Sequence, residues 1–237
     1  MATPVVIPAA GRGTRLRPLT DDRPKALVDV GGEPLLSRCF EIFESVDVSA
    51  FVVVVGYRGE QIRDRYGDRF DGVPITYTEQ AEPRGLADAV ATTEPHVDGS
   101  FVVCNGDNVL RGDVAPLVET HERRDAAATL LTESVDRETA KTRGVCAFDD
   151  DGTLSGFVEK PDDPPSTEAS AGCWAFDEVV FDAIRVITPS ERGEYELTDA
   201  IDLLLYAGHP VRTVTLSGRR VNVNSQADLD AAASLLD

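Results

Sequence analysis

Short apolar runs alternate with amphipathic segments through the first half of the chain. The runs are rich in β-branched residues and predict buried strands, at residues 5–8, 51–55, 75–78 and 101–104. The segments between them carry apolar residues at helical spacing, are bounded by Gly or Pro, and lie at residues 34–46, 60–66 and 86–93. Strands that alternate with helices predict an α/β fold with a doubly wound, mostly parallel sheet.

The pattern is looser after residue 130. It consists of an Asp-Asp-Gly turn at 150–152 with apolar flanks at 144–149 and 154–158, a strand pattern at 171–176 and a helical pattern at 196–206. The turn and its flanks predict a hairpin. The chain shows no repeat and no linker, and its 237 residues are enough for one large core. We therefore expect a single domain over residues 1–237, built from the halves 1–130 and 131–237.

The overall charge of the chain is strongly negative. Asp and Glu number 42 against 23 Lys and Arg, the formal net charge is -19, and the only lysines are Lys25, Lys141 and Lys160. Such a surface is typical of proteins adapted to high salt, because salt screens the repulsion among carboxylates. This charge also argues against nucleic acid or an anionic membrane as a partner. Since no apolar run reaches about 18 residues and no signal peptide precedes the first strand, we predict a cytoplasmic protein.

The segment that follows the first strand has the opposite charge. Its small residues are Ala9, Ala10, Gly11, Gly13 and Thr14, and its basic residues are Arg12, Arg15, Arg17, Arg23 and Lys25. Small residues let backbone N–H groups approach an anion, and the basic side chains neutralise it. The segment therefore predicts a polyphosphate site, with an Arg-rich surface turn as the alternative.

Two common phosphate motifs do not fit this segment. A P-loop needs a lysine directly after its second glycine, whereas Thr14 follows Gly13. The dinucleotide fingerprint needs a third glycine at the position where Leu16 stands. The sequence therefore indicates a phosphate-binding loop of another type.

Polar residues also follow a second predicted strand. Asn105, Gly106 and Asp107 come directly after the strand at 101–104. Like the loop that starts at Ala9, they lie at the carboxyl end of a strand, where open α/β sheets bind ligands. Asp107 could instead cap the segment that follows it.

The remaining residues with reactive or aromatic side chains favour structural roles. The cysteines are widely spaced among apolar neighbours, which predicts reduced core thiols at Cys39, Cys104, Cys146 and Cys173. Trp174 is also expected in the core. The histidines lie in polar or turn contexts, which predicts surface positions for His96, His121 and His209. Neither a histidine-based triad nor a zinc site is therefore expected.

Five short motifs occur in one order along the chain. They are Ala-Ala-Gly-x-Gly-Thr-Arg-Leu-x-Pro from Ala9 with Pro24-Lys25, Gln80 with Gly85-Leu86-Ala87, Gly106-Asp107, Glu159-Lys160-Pro161, and Gly193-Glu194-Tyr195-Glu196 with Thr198-Asp199. From Val5 to about Leu229 the chain resembles the sugar-1-phosphate nucleotidyltransferases, a family that includes glucose-1-phosphate uridylyl- and thymidylyltransferases. The resemblance implies a Rossmann-like nucleotidyltransferase fold, with a nucleotide-binding half at 1–130 and a sugar-binding half at 131–237.

The resemblance also implies a reaction. A nucleoside monophosphate would pass from UTP or dTTP to a sugar 1-phosphate, with glucose 1-phosphate as the expected sugar, and pyrophosphate would leave. The attacking phosphate oxygen is already an anion, so catalysis needs alignment and charge neutralisation rather than a general base. Arg15 would bind the β- and γ-phosphates, Lys25 would lie near the α-phosphate, and Lys160 would hold the attacking phosphate. Solvated surface charges are the structural alternative for the two lysines.

Further site residues follow from the same resemblance. The nucleotide would contact Ala9, Ala10, Gly11, Arg12, Gly13, Thr14, Gln80 and Gly85. The sugar would contact Asn105, Gly144, Glu159, Gly172 and Glu196. Asp107 would bind Mg²⁺, a hard cation that takes carboxylate and phosphate oxygens. The expected partners are thus small-molecule substrates, and a homo-oligomer is left open.

The chain departs from the family pattern near its C-terminus. The family often has Trp-x-Asp-x-Gly there, with a second metal-binding aspartate, and the matching run in this chain is Arg220-Val221-Asn222-Val223-Asn224. An asparagine therefore holds the aspartate position, and either Asn222 or Asn224 would be the second metal ligand. The change leaves an alternative function open, namely a non-catalytic or weakly catalytic regulatory subunit that binds a sugar nucleotide.

The acidic composition generates a prediction about salt. We expect the unfolding temperature and the activity to rise from dilute buffer to molar KCl, because screening weakens the repulsion among carboxylates. Thermal unfolding followed by circular dichroism at increasing KCl measures this. An unchanged melting temperature without salt would contradict the predicted adaptation.

Overall fold

The order of strands and helices is that of an α/β chain. A computed structural model describes residues 2–124 and 126–236. Its strands are β1 (Thr3–Pro8), β2 (Asp29–Val30), β3 (Glu33–Pro34), β4 (Val48–Val55), β5 (Arg69–Phe70), β6 (Val73–Glu79), β7 (Phe101–Cys104), β8 (Asn108–Asp113), β9 (Ala128–Ser134), β10 (Gly144–Phe148), β11 (Leu154–Glu159), β12 (Glu168–Phe176), β13 (Val211–Thr215) and β14 (Ser217–Asn222). Its α-helices are α1 (Leu35–Glu41), α2 (Gly59–Tyr66), α3 (Leu86–Ala91), α4 (Ala115–Arg124), α5 (Arg137–Ala140), α6 (Val179–Val186), α7 (Leu197–Tyr206) and α8 (Gln226–Leu236). Short 3₁₀ helices lie at Thr14–Leu16, Lys25–Leu27 and Glu94–His96.

Four parallel strands form the centre of the main sheet, in the order β7-β1-β4-β6. Side chains alternate between the faces of β1, so Val5 and Ile7 pack into one apolar cluster and Val6 packs into another. β12 pairs antiparallel with β7 and continues the sheet through β10 and β11, and β9 pairs with β12 and β13. The predicted α/β fold with a parallel centre is confirmed. The predicted hairpin is also present, because β10 and β11 pair antiparallel.

A third apolar cluster anchors the segments that carry the predicted phosphate and metal residues. It contains Leu16 from the loop after β1, Val109 from β8, Val223 directly after β14, and Leu229 from α8. β14 pairs antiparallel with β8, which sets Asn222 opposite Asn108. Because successive side chains of an extended chain point to opposite sides, burial of Val223 directs both neighbouring asparagines away from this cluster.

The predicted helix at 34–46 is shorter in the structure. The α-helix ends at Glu41, and the following residues form turns in which the N–H of Phe43 bonds the carbonyl of Phe40 and the N–H of Val46 bonds that of Phe43. Ile42 and Phe43 are nevertheless buried. The apolar spacing therefore indicates which residues face the core, but it does not distinguish an α-helix from tighter turns.

One histidine lies elsewhere than predicted. His121 is buried, and its Nδ1 lies 3.1 Å from Thr129 Oγ1. It follows Leu117 by four residues and therefore shares the buried face of α4, which the charged neighbours in the sequence obscure. Burial lowers the pKa of His121 below its ordinary value. His96 and His209 are exposed, and all four cysteines are buried and unpaired, as predicted.

No helix in the described part of the chain is long and apolar enough to cross a membrane. The division into halves at 1–130 and 131–237 stays a prediction, and its outer limits, residues 1 and 237, lie outside the described residues.

The contact between the ends of β1 and β7 generates a prediction. A Cβ atom on Gly106 would lie 2.5 Å from the carbonyl oxygen of Pro8. Backbone cannot yield there without moving the sheet, so Gly106→Ala should destabilise the protein by about 1–3 kcal/mol, or roughly 2–4 °C per kcal/mol. Gly156→Ala is the control, because its Cβ would lie 3.4 Å from Asp202 Oδ1. Equal melting temperatures for the two variants, measured in molar KCl, would contradict the prediction.

Candidate active site

A cleft with a volume of about 560 Å³ opens at the carboxyl ends of β1 and β7. One side is formed by the loop after β1, by Asn105 to Asp107 and by the segment after β14, and the other by β10, β11, β12 and the start of α7. Open α/β sheets bind ligands at this edge. The structure places many of the predicted site residues in this cleft, namely Ala9, Gly11, Arg15, Lys25, Asn105, Asp107, Gly144, Glu159, Lys160, Gly172, Glu196, Asn222 and Asn224.

The loop after β1 folds tightly around a left-handed glycine. Gly13 has φ of 62°, and Thr20 Oγ1 donates a 2.8 Å hydrogen bond to its carbonyl oxygen. A Cβ on Gly13 would lie 2.9 Å from Lys25 Cβ, so a larger residue would push against the lysine. Gly13, Thr14, Arg15, Lys25 and Asn224 line a smaller cavity of about 170 Å³. Arg15 is exposed and makes no ion pair with another described residue, so its guanidinium is available for an anion.

Ala10 and Arg12 of the predicted nucleotide loop line neither the cleft nor the smaller cavity. The guanidinium of Arg12 lies over the ring of Tyr57, 5.4 Å from its centroid, and the guanidinium of Arg58 lies 5.5 Å from the same centroid. The carbonyl of Ala10 accepts a 3.4 Å hydrogen bond from the N–H of Tyr57. These contacts fix the loop against the start of α2.

Gln80 and Gly85 lie next to the cleft rather than in its lining. Gln80 is buried, and its Nε2 donates to the carbonyl of Gly85 at 3.0 Å and to Asp88 Oδ2 at 2.8 Å. Gly85 has φ of 110°, and a Cβ there would lie 2.5 Å from the carbonyl oxygen of Tyr195. The two residues therefore fix the start of α3, where Leu86 lines the cleft.

Lys25, Asp107 and the two asparagines form one hydrogen-bonded cluster. Lys25 Nζ donates to Asp107 Oδ2 at 2.8 Å and to Asn224 Oδ1 at 3.0 Å. Asn222 Nδ2 donates to Asp107 Oδ1 at 3.1 Å, and Asn224 Nδ2 donates to Asn222 Oδ1. Asp228 supports the segment by accepting from the backbone N–H of Asn224 at 2.9 Å. The predicted α-phosphate lysine and the predicted metal ligands are therefore brought together.

The oxygen donors of this cluster suit a hard cation, to which the protein would contribute one negative charge. It offers the carboxylate of Asp107 and the amide oxygens of Asn222 and Asn224, and oxygen is the donor that Mg²⁺ takes. Among residues 2–124 and 126–236, no group of three or more His, Cys, Asp or Glu residues is placed to hold a metal. A cation here would need further oxygens from its substrate, and it would share Asp107 with Lys25.

Charged side chains of the other half form a second cluster. Arg192 Nη2 donates to Glu196 Oε1 at 2.6 Å and lies 3.5 Å from Glu159 Oε1, and Lys160 Nζ lies 3.1 Å from that same oxygen. Burial lowers the pKa of Arg192, but the hydrogen bond and charge of Glu196, with Glu159 and Glu194, outweigh it and raise that pKa above its ordinary value. Gly144 pairs with Glu159 across β10 and β11, and a Cβ there would lie 2.9 Å from Thr198 Cγ2.

β12 passes close beneath the cleft at Gly172. Its φ is 72°, and a Cβ there would lie 2.7 Å from Asn108 Nδ2 and 3.1 Å from Asn105 Nδ2. Asn108 is fully buried and donates to the carbonyls of Ala171 and Gly172 at 3.0 and 3.1 Å. The glycine therefore lets β12 approach the loop after β7, and Asn105 is held by a 2.9 Å backbone bond to Gly172.

Two buried polar groups of the cleft have no partner. Trp174 Nε1 and Thr198 Oγ1 make no hydrogen bond within the described residues, and both residues line the cleft. Buried polar groups are normally paired, so these two atoms are candidates for a contact with a ligand. Trp174 is buried as predicted, but the sequence did not indicate its place in the cleft.

Other cleft residues were missed although they adjoin recognised motifs. Arg192 precedes the Gly193 motif, Thr198 belongs to it, Arg143 precedes Gly144, and Arg220 begins the run that ends at Asn224. Adjacency to a motif was the signal that could have found them.

Comparison with known proteins gives the same class as the motifs. Residues 4–220 match the protein-family model described as "Nucleotidyl transferase". Because this match spans most of the chain, the protein belongs to the nucleotidyl transferase family.

Two curated relatives are nucleotidyltransferases that are named for glucose 1-phosphate. The chain is 41% identical over 231 residues to UTP–glucose-1-phosphate uridylyltransferase AglF of Haloferax volcanii, and the match covers 98% of this chain and 95% of that protein. It is 37% identical over 226 residues to a glucose-1-phosphate thymidylyltransferase of Streptomyces antibioticus, covering 93% of this chain and 62% of that protein. The resemblance to uridylyl- and thymidylyltransferases is confirmed, and it places the chain in a family of enzymes.

Solved structures agree on the fold. A crystal structure from Bacillus anthracis with sucrose, described as a glucose-1-phosphate thymidylyltransferase, matches with a TM-score of 0.89 at 29% identity and covers 99% of this chain and 95% of that one. A UDP-glucose pyrophosphorylase complexed with UDP-glucose matches with a TM-score of 0.89 at 21% identity, covering 99% of this chain and 98% of the other. The second likeness shows the fold alone.

Proposed function

We propose that the protein transfers a nucleoside monophosphate from UTP or dTTP to a hexose 1-phosphate, with glucose 1-phosphate as the reference sugar, and releases pyrophosphate. One observation carries the proposal. One cleft contains the cations Arg15 and Lys25 beside Asp107 and, in a separate cluster, the cations Lys160 and Arg192 beside Glu159 and Glu196. Two anionic substrates can therefore bind side by side. The 41% identical relative, which is named for UTP, supports UTP as the donor.

The reaction needs little proton chemistry from the protein. An oxygen of the sugar 1-phosphate forms a bond to the α-phosphorus, and the bond from that phosphorus to the bridging oxygen of the β-phosphate breaks. The electron pair leaves with pyrophosphate. Since the attacking oxygen is already ionised, the protein contributes alignment and charge neutralisation.

The cations divide this work between the two substrates. Arg15, which is unpaired among the described residues, binds the β- and γ-phosphates. Lys25 turns from Asp107 toward the α-phosphate, and Lys160 holds the attacking phosphate. In this proposal Glu159 and Glu196 bond sugar hydroxyls, and the Oγ1 of Thr198, which has no hydrogen-bond partner among the described residues, supports a third contact. Nucleophile and electrophile thereby meet between the two clusters.

Magnesium fits the proposed site through Asp107 and one of the two asparagines. When bound, the ion would neutralise charge on the triphosphate and on the departing pyrophosphate. The protein supplies one carboxylate and amide oxygens, so the triphosphate must complete the coordination. The regulatory alternative is not favoured, because the curated relatives are named as transferases. Adaptation to high salt, a cytoplasmic location and a homo-oligomer stay predictions from the sequence.

The proposed function is tested by pairing each nucleoside triphosphate with each member of a sugar 1-phosphate panel in molar KCl with Mg²⁺. We expect pyrophosphate release with UTP or dTTP and a sugar 1-phosphate of the glucose configuration. A folded protein that releases no pyrophosphate with any pair would refute the proposal.

Substitutions of the three lysines distinguish effects on the triphosphate from effects on the sugar phosphate. Lys25→Ala should mainly impair use of the triphosphate and Lys160→Ala mainly that of the sugar phosphate, each by on the order of 10²-fold. Lys141→Ala is the matched control, because Lys141 pairs with Glu138 at 2.7 Å on the surface. Initial rates with each substrate varied in turn give kcat and KM. Wild-type kinetics in all three variants would show that the phosphate assignments are wrong.

The asparagines yield a prediction about magnesium. Asn222→Asp sets a second carboxylate against Asp107, so it should lower the Mg²⁺ concentration for half-maximal activity. Asn224→Asp should instead strengthen the contact with Lys25 and leave that concentration nearly unchanged. A shift in the Asn224 variant alone would make Asn224 the ligand. If neither variant shifts the requirement, this segment does not bind the metal.

A further inference from the structure

Two guanidinium groups share one carboxylate in the sugar-binding half of the cleft. Arg220 bonds Glu133 Oε1 through Nη2 at 2.7 Å and through Nε at 2.8 Å, and Arg143 Nη1 bonds the same oxygen. Both arginines line the cleft. We call these three residues the Glu133 cluster. It carries a net charge of one positive unit, since one carboxylate cannot balance two guanidiniums.

Among the described residues, no carboxylate other than Glu133 makes an ion pair with either arginine of the Glu133 cluster. Lys25 pairs with Asp107, and Lys160 and Arg192 pair with Glu159 and Glu196. Burial, followed by the charge of Arg220, lowers the pKa of Arg143 below its ordinary value, and Glu133 offsets only part of this. The two arginines therefore repel each other, and an anion bound to Arg143 would offset that repulsion.

Arg143 is the member of the Glu133 cluster that can reach a ligand. The side chain of Arg220 is 2% exposed, and its three nitrogens bond Glu133 and, at 2.8 Å, Asn108 Oδ1. The side chain of Arg143 is 24% exposed and bonds only Glu133 among the described side chains. Its remaining N–H groups are therefore available, while the shared carboxylate holds the side chain in place.

The backbone places Arg143 beside the proposed sugar contacts. It directly precedes Gly144, and its carbonyl accepts a 2.9 Å hydrogen bond from the N–H of Lys160. The proposed function assigns Lys160 to the phosphate of the sugar 1-phosphate, so we assign the available donors of Arg143, in the same cleft, to a second substituent of the sugar. A guanidinium binds a carboxylate with two parallel hydrogen bonds, and a single negative charge matches the single surplus charge.

We propose that Arg143, positioned by Glu133 and Arg220, is a sugar-specificity residue that binds a carboxylate on the sugar, so that a hexuronic acid 1-phosphate is a better substrate than glucose 1-phosphate. The inference rests on the proposed function and names the class of sugar for it. A charge-assisted hydrogen bond is worth about 1.5–3 kcal/mol, or about tenfold to a hundredfold in kcat/KM.

The experiment compares glucose 1-phosphate and glucuronic acid 1-phosphate with UTP and Mg²⁺ in molar KCl. The wild type should show at least about tenfold higher kcat/KM with glucuronic acid 1-phosphate. Arg143→Gln should lower the ratio of the two kcat/KM values to about one, and Arg143→Lys should restore part of it. Arg219→Gln is the control, because Arg219 is an exposed neighbour in β14 with the same charge and should keep the wild-type ratio.

Two results would overturn the proposal. The first is a wild type that uses glucuronic acid 1-phosphate no better than glucose 1-phosphate. The second is an equal loss with both sugars in Arg143→Gln, which would assign Arg143 to the 1-phosphate. Isothermal titration calorimetry of the two sugar phosphates distinguishes failure of this inference from failure of the proposed function. If no pyrophosphate is released, stronger binding of glucuronic acid 1-phosphate that depends on Arg143 still supports the inference, and equal binding refutes it.

Discussion

The carboxylate of Asp107 connects the chain segments on which the site depends. Lys25 from the loop after β1 bonds one of its oxygens at 2.8 Å, and Asn222 at the end of β14 bonds the other at 3.1 Å. Backbone hydrogen bonds join the same segments. The N–H of Val223 donates to the carbonyl of Asp107 at 2.9 Å, and the N–H of Gly106 donates to the carbonyl of Pro8 at 3.2 Å. A partly buried carboxylate needs such partners. The contacts that hold these chain segments together are therefore also the contacts that assemble the candidate site.

Much of the fold could be predicted because its central strands are continuous apolar runs. The segments that became β1, β4 and β7 are largely buried on both faces, so their sequences show little else. Within β6 only Ile75 is buried. The predictions of secondary structure and burial were wrong where the apolar pattern does not determine the backbone hydrogen bonding or where charged neighbours obscure a buried face. The segment after Glu41 forms turns rather than more helix, and His121 is buried among charged neighbours. The weaker pattern after residue 130 corresponds to antiparallel strands whose pairing depends on distant partners.

The candidate site could be predicted where a residue lies in a short motif at the end of a strand. Lys25 and Asp107 lie 82 residues apart in the sequence, yet they form an ion pair. Their proposed roles at the triphosphate require this proximity. Adjacency to a motif could have indicated Arg143 and Arg220, but it could not have shown that they share Glu133. Glu133 lies in β9, Arg143 precedes β10 and Arg220 lies in β14, and only the packing of these elements brings their charges together. The sequence shows each of them as an ordinary charged residue in an acidic chain.

The reverse reaction tests whether one cleft binds a nucleotide and a sugar phosphate and joins them. The protein is incubated with UDP-glucose, radiolabelled pyrophosphate and Mg²⁺ in molar KCl, and the label in UTP is followed. We expect label to enter UTP and glucose 1-phosphate to appear in equal amount. Binding of UDP-glucose without any label in UTP would refute the proposed function and would favour a protein that only binds the sugar nucleotide.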